Sequence, residues 1–234
     1  MARVLVVLSG ADHWTLRDGS KHATGFWAQG LVAAHRALSA AGHRPVLATP
    51  GGAPPALDPI SLTPGAVGGV GAARELSAYL GGLSRDLALP LTLEEQTLAG
   101  YAAIYLPGGH ACMEDLVESA ALGRLLVEAV DAERLVTVVA HGAAGLVPAV
   151  RADGSWAFAG RRMAVFTDVE EELGGLAPGA GWLLERRPED LGAIIDTGLP
   201  WAAHVVTDRG LVTGQNPGSS EAAATQTVEL LRPA

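Results

Sequence analysis

The sequence predicts an α/β fold: one domain over residues 1–234, with a mainly parallel sheet and helices on both faces. Three observations predict it. Short unbroken runs of β-branched and aliphatic residues recur, as expected of strands buried on both faces. Segments of helical period separate them, as the crossovers of parallel strands require. Glycine and proline punctuate the ends of these segments, and no internal repeat or clear linker divides the chain.

RVLVVLS (3–9) reads as the first strand, followed by a polar loop, GADHWTLRDGSKHA. TGFWAQGLVAAHRALSAAG (24–42) reads as a helix closed by Gly42. RPVLATP (44–50) is a second strand, ended by proline and two glycines, and residues 51–70 form a Gly/Pro-rich loop. Helical character is expected over 74–80 and over TLEEQTLAG (92–100). AAIYLPGG (102–109) is a third strand running into a glycine turn, and CMEDLVESAALGRLLVEAVDAE (112–133) a long amphipathic helix. LVTVVA (135–140) is the fourth core strand, and RRMAVFTD (161–168) a further strand before an acidic helix start. HVVTDRGLVTG (204–214) reads as a hairpin with an Asp-Arg-Gly turn. SSEAAATQTVELL (219–231) reads as a C-terminal helix with serine and glutamate at its start. In such a sheet ligands sit beyond the carboxyl ends of the strands. The loops after residues 9, 106, 140 and 166 should therefore converge.

Composition excludes several classes. The chain is 49% apolar and 18% charged, a globular balance. A net charge of −9 with no basic run argues against nucleic acid and anionic membranes as partners. The single cysteine, Cys112, allows no intrachain disulfide, and there is no zinc-finger spacing. No run approaches the ~20 apolar residues of a membrane helix. The apolar run of MARVLVVLSGAD is too short for a signal peptide, so a cytoplasmic location is expected. A small-molecule substrate is the expected partner, with neither cofactor nor metal.

Six stretches carry a resemblance: TGFW (24–27), TPGG (49–52) with LDPIS (57–61), LPGGHACMED (106–115), VVAHGAAGL (138–146), FTDVEEE (166–172) and LVTGQNPGSS (211–220). In this order and spacing they resemble the ThiJ/PfpI superfamily, which has the class I glutamine-amidotransferase-like, flavodoxin-like fold, and within it the chaperone, glyoxalase III and deglycase branch. The resemblance spans nearly the whole chain and implies a homodimer. It also implies a strand–helix elbow bearing a cysteine immediately before a histidine, a glutamate from the early TGxxxxE helix sharing the thiol proton, a downstream acid orienting the histidine, and oxyanion-binding N–H groups in a PGGHG turn. The elbow cysteine falls on Ala140 and the glutamate on Gly30, so both are missing. His141, Gly108, Gly109 and His110 are kept, and the acid is one of Asp168, Glu170 and Glu171. Thiolate and carboxylate act as a unit, and their joint loss removes bulk that a larger substrate could occupy.

His141 is the leading catalytic candidate, an imidazole that titrates near neutral pH. Gly108, Gly109 and Gly142 are candidates for oxyanion-binding backbone. Cys112 reads either as a relocated nucleophile, activated at a helix N-terminus and near His110 and His141, or as a buried apolar residue. His110 reads as a substrate donor or a turn histidine. Asp12 and His13 are second-rank participants, in a loop whose Trp14, His22, Phe26 and Trp27 suit a flat organic ligand. His13 and His22 with Asp12 have no recognised metal-ligand spacing. Gln29, Gly30, Glu114, Ala140, Phe166, Asp168, Glu170, Trp201 and His204 complete the expected surroundings, and Asn216 reads as a loop-holding amide.

These readings point to an acid/base enzyme acting on an organic carbonyl or enol compound: a lyase, hydratase, isomerase or cyclase, consistent with specialised metabolism. Two rivals are a non-enzymatic holdase or interaction protein, and a hydrolase that uses Cys112.

Overall fold

The computed structural model describes residues 1–232. Its elements in chain order are β1 (Arg3–Val7), β2 (His13–Thr15), β3 (Lys21–Ala23), α1 (Ala28–Ala40), β4 (Arg44–Thr49), α2 (Pro64–Val67), α3 (Val70–Gly82), α4 (Ser84–Ala88), β5 (Leu91–Thr92), β6 (Ala103–Leu106), α5 (Ala120–Asp131), β7 (Leu135–Val139), β8 (Arg162–Met163), α6 (Asp168–Gly174), α7 (Arg186–Asp190), β9 (Ile194–Ile195), β10 (Val205–Asp208), β11 (Leu211–Gly214) and α8 (Ser220–Leu230).

The core is a seven-stranded sheet in the order β10-β11-β7-β6-β1-β4-β5. Every pairing is parallel except β10 with β11. The central strands are almost wholly apolar because both faces are covered: Val4–Val7, Ala103–Leu106 and Val136–Val139 are buried, with Thr137 among them. α1 and α8 pack together on one face and α5 covers β6 and β7 from the other. Thr137 on β7 bonds Thr227 on α8 at 2.8 Å, which satisfies two hydroxyls inside this layer. Strand order reverses between β1 and β6, so their carboxyl ends diverge into a crevice.

Several segments differ from the sequence reading, among them the Gly/Pro-rich stretch 51–70, whose end forms α2. Residues 92–100 are not helical; only Leu93–Glu95 make a 3-10 turn. The helix expected from 112 begins at Ala120, capped by Ser119, whose hydroxyl accepts from Leu122 N. Before it run two 3-10 turns, His110–Met113 and Leu116–Glu118. Residues 161–168 give only the two-residue β8, which pairs with β9 outside the core sheet. The polar loop after β1 contains the β2–β3 hairpin, closed by Gly19 in the left-handed region (φ 82°) and by Asp18, which accepts from Ser20 N and Oγ.

Candidate active site

β7 ends in an elbow. Val139 is extended, Ala140 turns into the left-handed region (φ 50°), and Ala140–Leu146 follow as a 3-10 helix. The turn fits because Gly108 and Gly142 lie back to back: a Cβ on Gly108 would stand 2.3 Å from Val139 O, and one on Gly142 2.6 Å from Leu106 O. These two glycines therefore serve packing. Gly109 lines the cavity, and its N–H makes no hydrogen bond within the protein.

The elbow presents His141, 3% exposed, to α6. Its Nε2 donates to Glu171 Oε2 at 2.7 Å, and His110 Nε2 donates to Glu171 Oε1 at 2.9 Å. One buried carboxylate thus holds two imidazoles, whose centroids are 3.8 Å apart. Burial pulls His141 below its ordinary pKa, helped by the neighbouring His110 and opposed by Glu171. Burial pushes the Glu171 carboxyl up, but the two imidazoles outweigh it and hold the group well below the usual carboxylate range. The stable state at neutral pH is an ionised Glu171 with a neutral His141 bearing its proton on Nε2. Its Nδ1 bonds nothing in the protein and is not among the buried polar atoms without a partner, so it opens on the cavity that His141 lines. Trp14 stacks on His110 at 5.7 Å, and Phe166 packs on His141 at 4.3 Å.

The cavity measures about 570 Å³. His22, Trp27, Gln29, Ala140, Phe166 and Trp201 line it together with Gly109, His110, His141 and Glu171. The loops after β6 and β7 and the start of α6 do converge there.

Other expected site residues lie elsewhere. Cys112 is 2% exposed in the hydrophobic core, within the 3-10 turn His110–Met113 and not among the residues lining the cavity; burial, with Asp115, pushes its thiol far up, the opposite of an activated nucleophile. Asp12 is solvent-exposed and bonds His13, which also faces Glu114; Glu114 accepts from Thr15 N and Oγ1. That cluster fastens the β2–β3 hairpin to the turn after Gly109. His22 points away from it, since residues alternate across the hairpin, and the three make no metal cluster. Phe26 is core. Asp168 pairs with Arg186 and His204 with Asp196. Glu170 closes a capping box with Thr167 and accepts from Trp201 N and Asn216 Nδ2. Of the three acids, Glu171 is the one that reaches the histidines. Thr167-x-x-Glu170 is the capping-box pattern, and that signal would have assigned Glu170 to the cap and singled out its neighbour. Asp58, Ile60, Val67 and Leu176 also line the cavity, from segments with no periodicity to mark them.

Among the described residues, His110, His141 and Glu171 are the group with metal-ligand spacing, their ligand atoms within 4.8 Å of one another. Two imidazoles and a carboxylate suit a transition metal. Such an ion would have to replace both hydrogen bonds to Glu171.

Residues 23–230 match the DJ-1/PfpI family. The chain belongs to that family. It is 35% identical over 139 residues to glutamine amidotransferase-like class 1 domain-containing protein 1 of Bos taurus, covering 57% of this chain and 60% of that protein. It is 32% identical over 139 residues to protein/nucleic acid deglycase HchA of Pseudomonas aeruginosa, covering 55% and 47%. The match thus spans 60% of the first relative's length and about half of the second's. The fold superposes on glyoxalase III of Candida albicans with a TM-score of 0.84 at 21% identity, over 99% of this chain and 98% of that one. Within this DJ-1/PfpI chain the elbow keeps its left-handed residue without a thiol.

Gly30 corrects one expectation. A Cβ there would stand 2.2 Å from Pro107 O, so α1 packs directly on the turn after β6 and no space remains for a side chain at position 30. The loss at position 30 enlarges nothing. Gly30→Ala is expected to lower unfolding stability by about 3 kcal/mol or more. Ala140→Cys is expected to stay within about 1 kcal/mol of wild type, because a side chain already occupies that φ. Urea midpoints of the two variants check both; a Gly30→Ala protein as stable as wild type would contradict the close packing.

Proposed function

We propose that this protein is an acid/base enzyme acting on an organic carbonyl or enol compound, in a lyase, hydratase, isomerase or cyclase reaction. The observation that carries this reading is the chemistry of the cavity wall. It offers two imidazoles on one carboxylate and a free backbone N–H at Gly109; among the described residues no Ser, Thr, Cys, Tyr or Lys lines it. Covalent catalysis by hydroxyl, thiol or amine has no group to begin from. Proton transfer beside a carbonyl needs only a base and an oxyanion donor.

In this reading His141 Nδ1 takes the proton from the carbon next to the carbonyl. Glu171 keeps hold of the Nε2 proton and stabilises the imidazolium that forms. The Gly109 N–H donates to the enolate oxygen as charge develops. The His141 imidazolium then returns that proton from Nδ1 to another substrate atom or to a leaving group, while His110, bound to the same carboxylate, holds Glu171 in place. Two imidazolium ions this close would repel, so the pair carries one extra proton at a time. Cys112 has no part, and methylglyoxal is not expected to turn over through a thiol.

Exchange of carbonyl-adjacent C–H for deuterium, followed by proton NMR over a panel of ketones, tests this without knowledge of the product. Wild type is expected to catalyse exchange, and His141→Gln to slow it by about 10²–10⁴. Cys112→Ala is expected to retain it. The neutral imidazole is the active form and its pKa is depressed, so the rate should be flat through neutral pH and fall on an acid limb centred below 6.5. Equal exchange by His141→Gln, or an acid limb above 6.5, would contradict the assignment. Activity should also survive dialysis against a chelator; a loss restored by one divalent metal would place an ion on the three groups instead.

A further inference from the structure

Trp201 adopts a backbone conformation rare for a bulky residue, with φ 62°. Buried polar groups hold it there. Trp201 N donates to Glu170 Oε1 at 2.8 Å, Asn216 Nδ2 donates to Ala202 O at 2.7 Å, and Gly198 N donates to Gln215 Oε1 at 2.8 Å. Glu170, Gln215 and Asn216 are all fully buried. Yet the side chain that this clamp presents is 49% exposed, and it lines the cavity. Stored backbone strain supporting a half-exposed aromatic is the pattern of a ligand-contacting residue.

The ring is the outer member of an aromatic series. Trp201 meets Phe166 edge-to-face at 5.6 Å, and Phe166 packs on His141 at 4.3 Å. Across the cavity, Trp27 has an indole N–H that is buried without a partner. Ile60, Val67 and Leu176 supply further apolar wall. A volume of about 570 Å³ holds a bicyclic ring system, and a three-carbon dicarbonyl would leave most of it empty.

Charge narrows the class. Among the described residues, none lining the cavity is Lys or Arg, whereas Asp58 and Glu171 both do line it. Asp58 is buried and already accepts from Thr24 Oγ1 and Ile60 N. An anionic ligand would lose its hydration beside two carboxylates and gain no cation.

We infer that the ligand of this cavity is an uncharged, planar aromatic carbonyl compound, stacked on the cavity face of Trp201 beside Phe166, with its carbonyl oxygen toward the Gly109 N–H. The placement of the carbonyl rests on the proposed reaction; ring recognition and exclusion of anions rest on the cavity alone.

2-Acetonaphthone and 2-naphthoate share a ring system and differ in charge, so they serve as matched probes, with binding read by calorimetry. Wild type is expected to bind 2-acetonaphthone saturably and 2-naphthoate at least about tenfold more weakly. Trp201→Ala should weaken 2-acetonaphthone by about tenfold, while Trp201→Phe, which keeps a stacking face, should stay within about threefold. Thermal melts of both variants confirm folding. Equal or tighter binding of 2-naphthoate, or undiminished binding in a folded Trp201→Ala, overturns the inference. Saturable 2-acetonaphthone binding with no deuterium exchange on any ketone would sustain it and remove the proposed reaction. Exchange on small ketones with no 2-acetonaphthone binding would do the reverse.

Discussion

A single buried carboxylate organises the site. Glu171, 3% exposed, is an anion out of water, and such a group persists only where donors replace its hydration. Two imidazole N–H groups do so, one at each oxygen. They arrive from two different strand ends, His110 after β6 and His141 after β7, so the hydrogen bonds tie the sheet's carboxyl edge to α6. Fixing each Nε2 as the donor leaves Nδ1 as the free nitrogen, which sets the direction of any proton transfer. The neighbouring residue works the opposite way. Glu170 caps α6 with Thr167 and reaches to the Trp201 turn and Asn216. Two adjacent acids therefore anchor two walls of one cavity.

The elbow shows what remains of a strand–helix turn when its thiol is absent. Ala140 still holds a left-handed φ, which costs an alanine about 1–2 kcal/mol. The glycine contacts around it allow no gentler path, because Gly108 and Gly142 pack backbone against backbone. On the other side, α1 lies so close to the turn after β6 that Gly30 packs against Pro107. The two positions that the resemblance marks for a cysteine and a glutamate thus differ in their surroundings: Ala140 lines the cavity, whereas Gly30 is packed against main chain.

The central architecture was legible because β1, β6 and β7 are buried on both faces and read as short runs of mostly β-branched and aliphatic residues. The short pieces were not. β8 has two residues and the arms of the β2–β3 hairpin three each, too few to express a period. Cys112 to Ser119 keep helix-like apolar spacing through Met113 and Leu116, yet the backbone there makes 3-10 turns, and that misplaced Cys112 at a helix mouth. His141 and His110 were legible through the motif resemblance, but that they share one carboxylate is a property of the folded chain. Trp201 was readable as a site candidate, whereas its strain appears only in backbone angles. Asp58 lies in the LDPIS stretch that carried the resemblance, yet nothing there marked it as cavity wall, and Val67 reaches the cavity from a Gly/Pro-rich stretch without period.

The central claim is that Glu171 fixes both imidazoles through Nε2–H, while burial keeps His141 neutral against the pull of that carboxylate. Nitrogen-15 NMR of the histidine side chains measures this directly. At neutral pH His141 should show the neutral tautomer protonated at Nε2, with that proton shifted downfield by its bond to the carboxylate, and should reach half-protonation only below pH 6.5. Glu171→Gln should abolish the downfield proton. A His141 that is protonated at Nδ1, or is an imidazolium at neutral pH, would contradict the account.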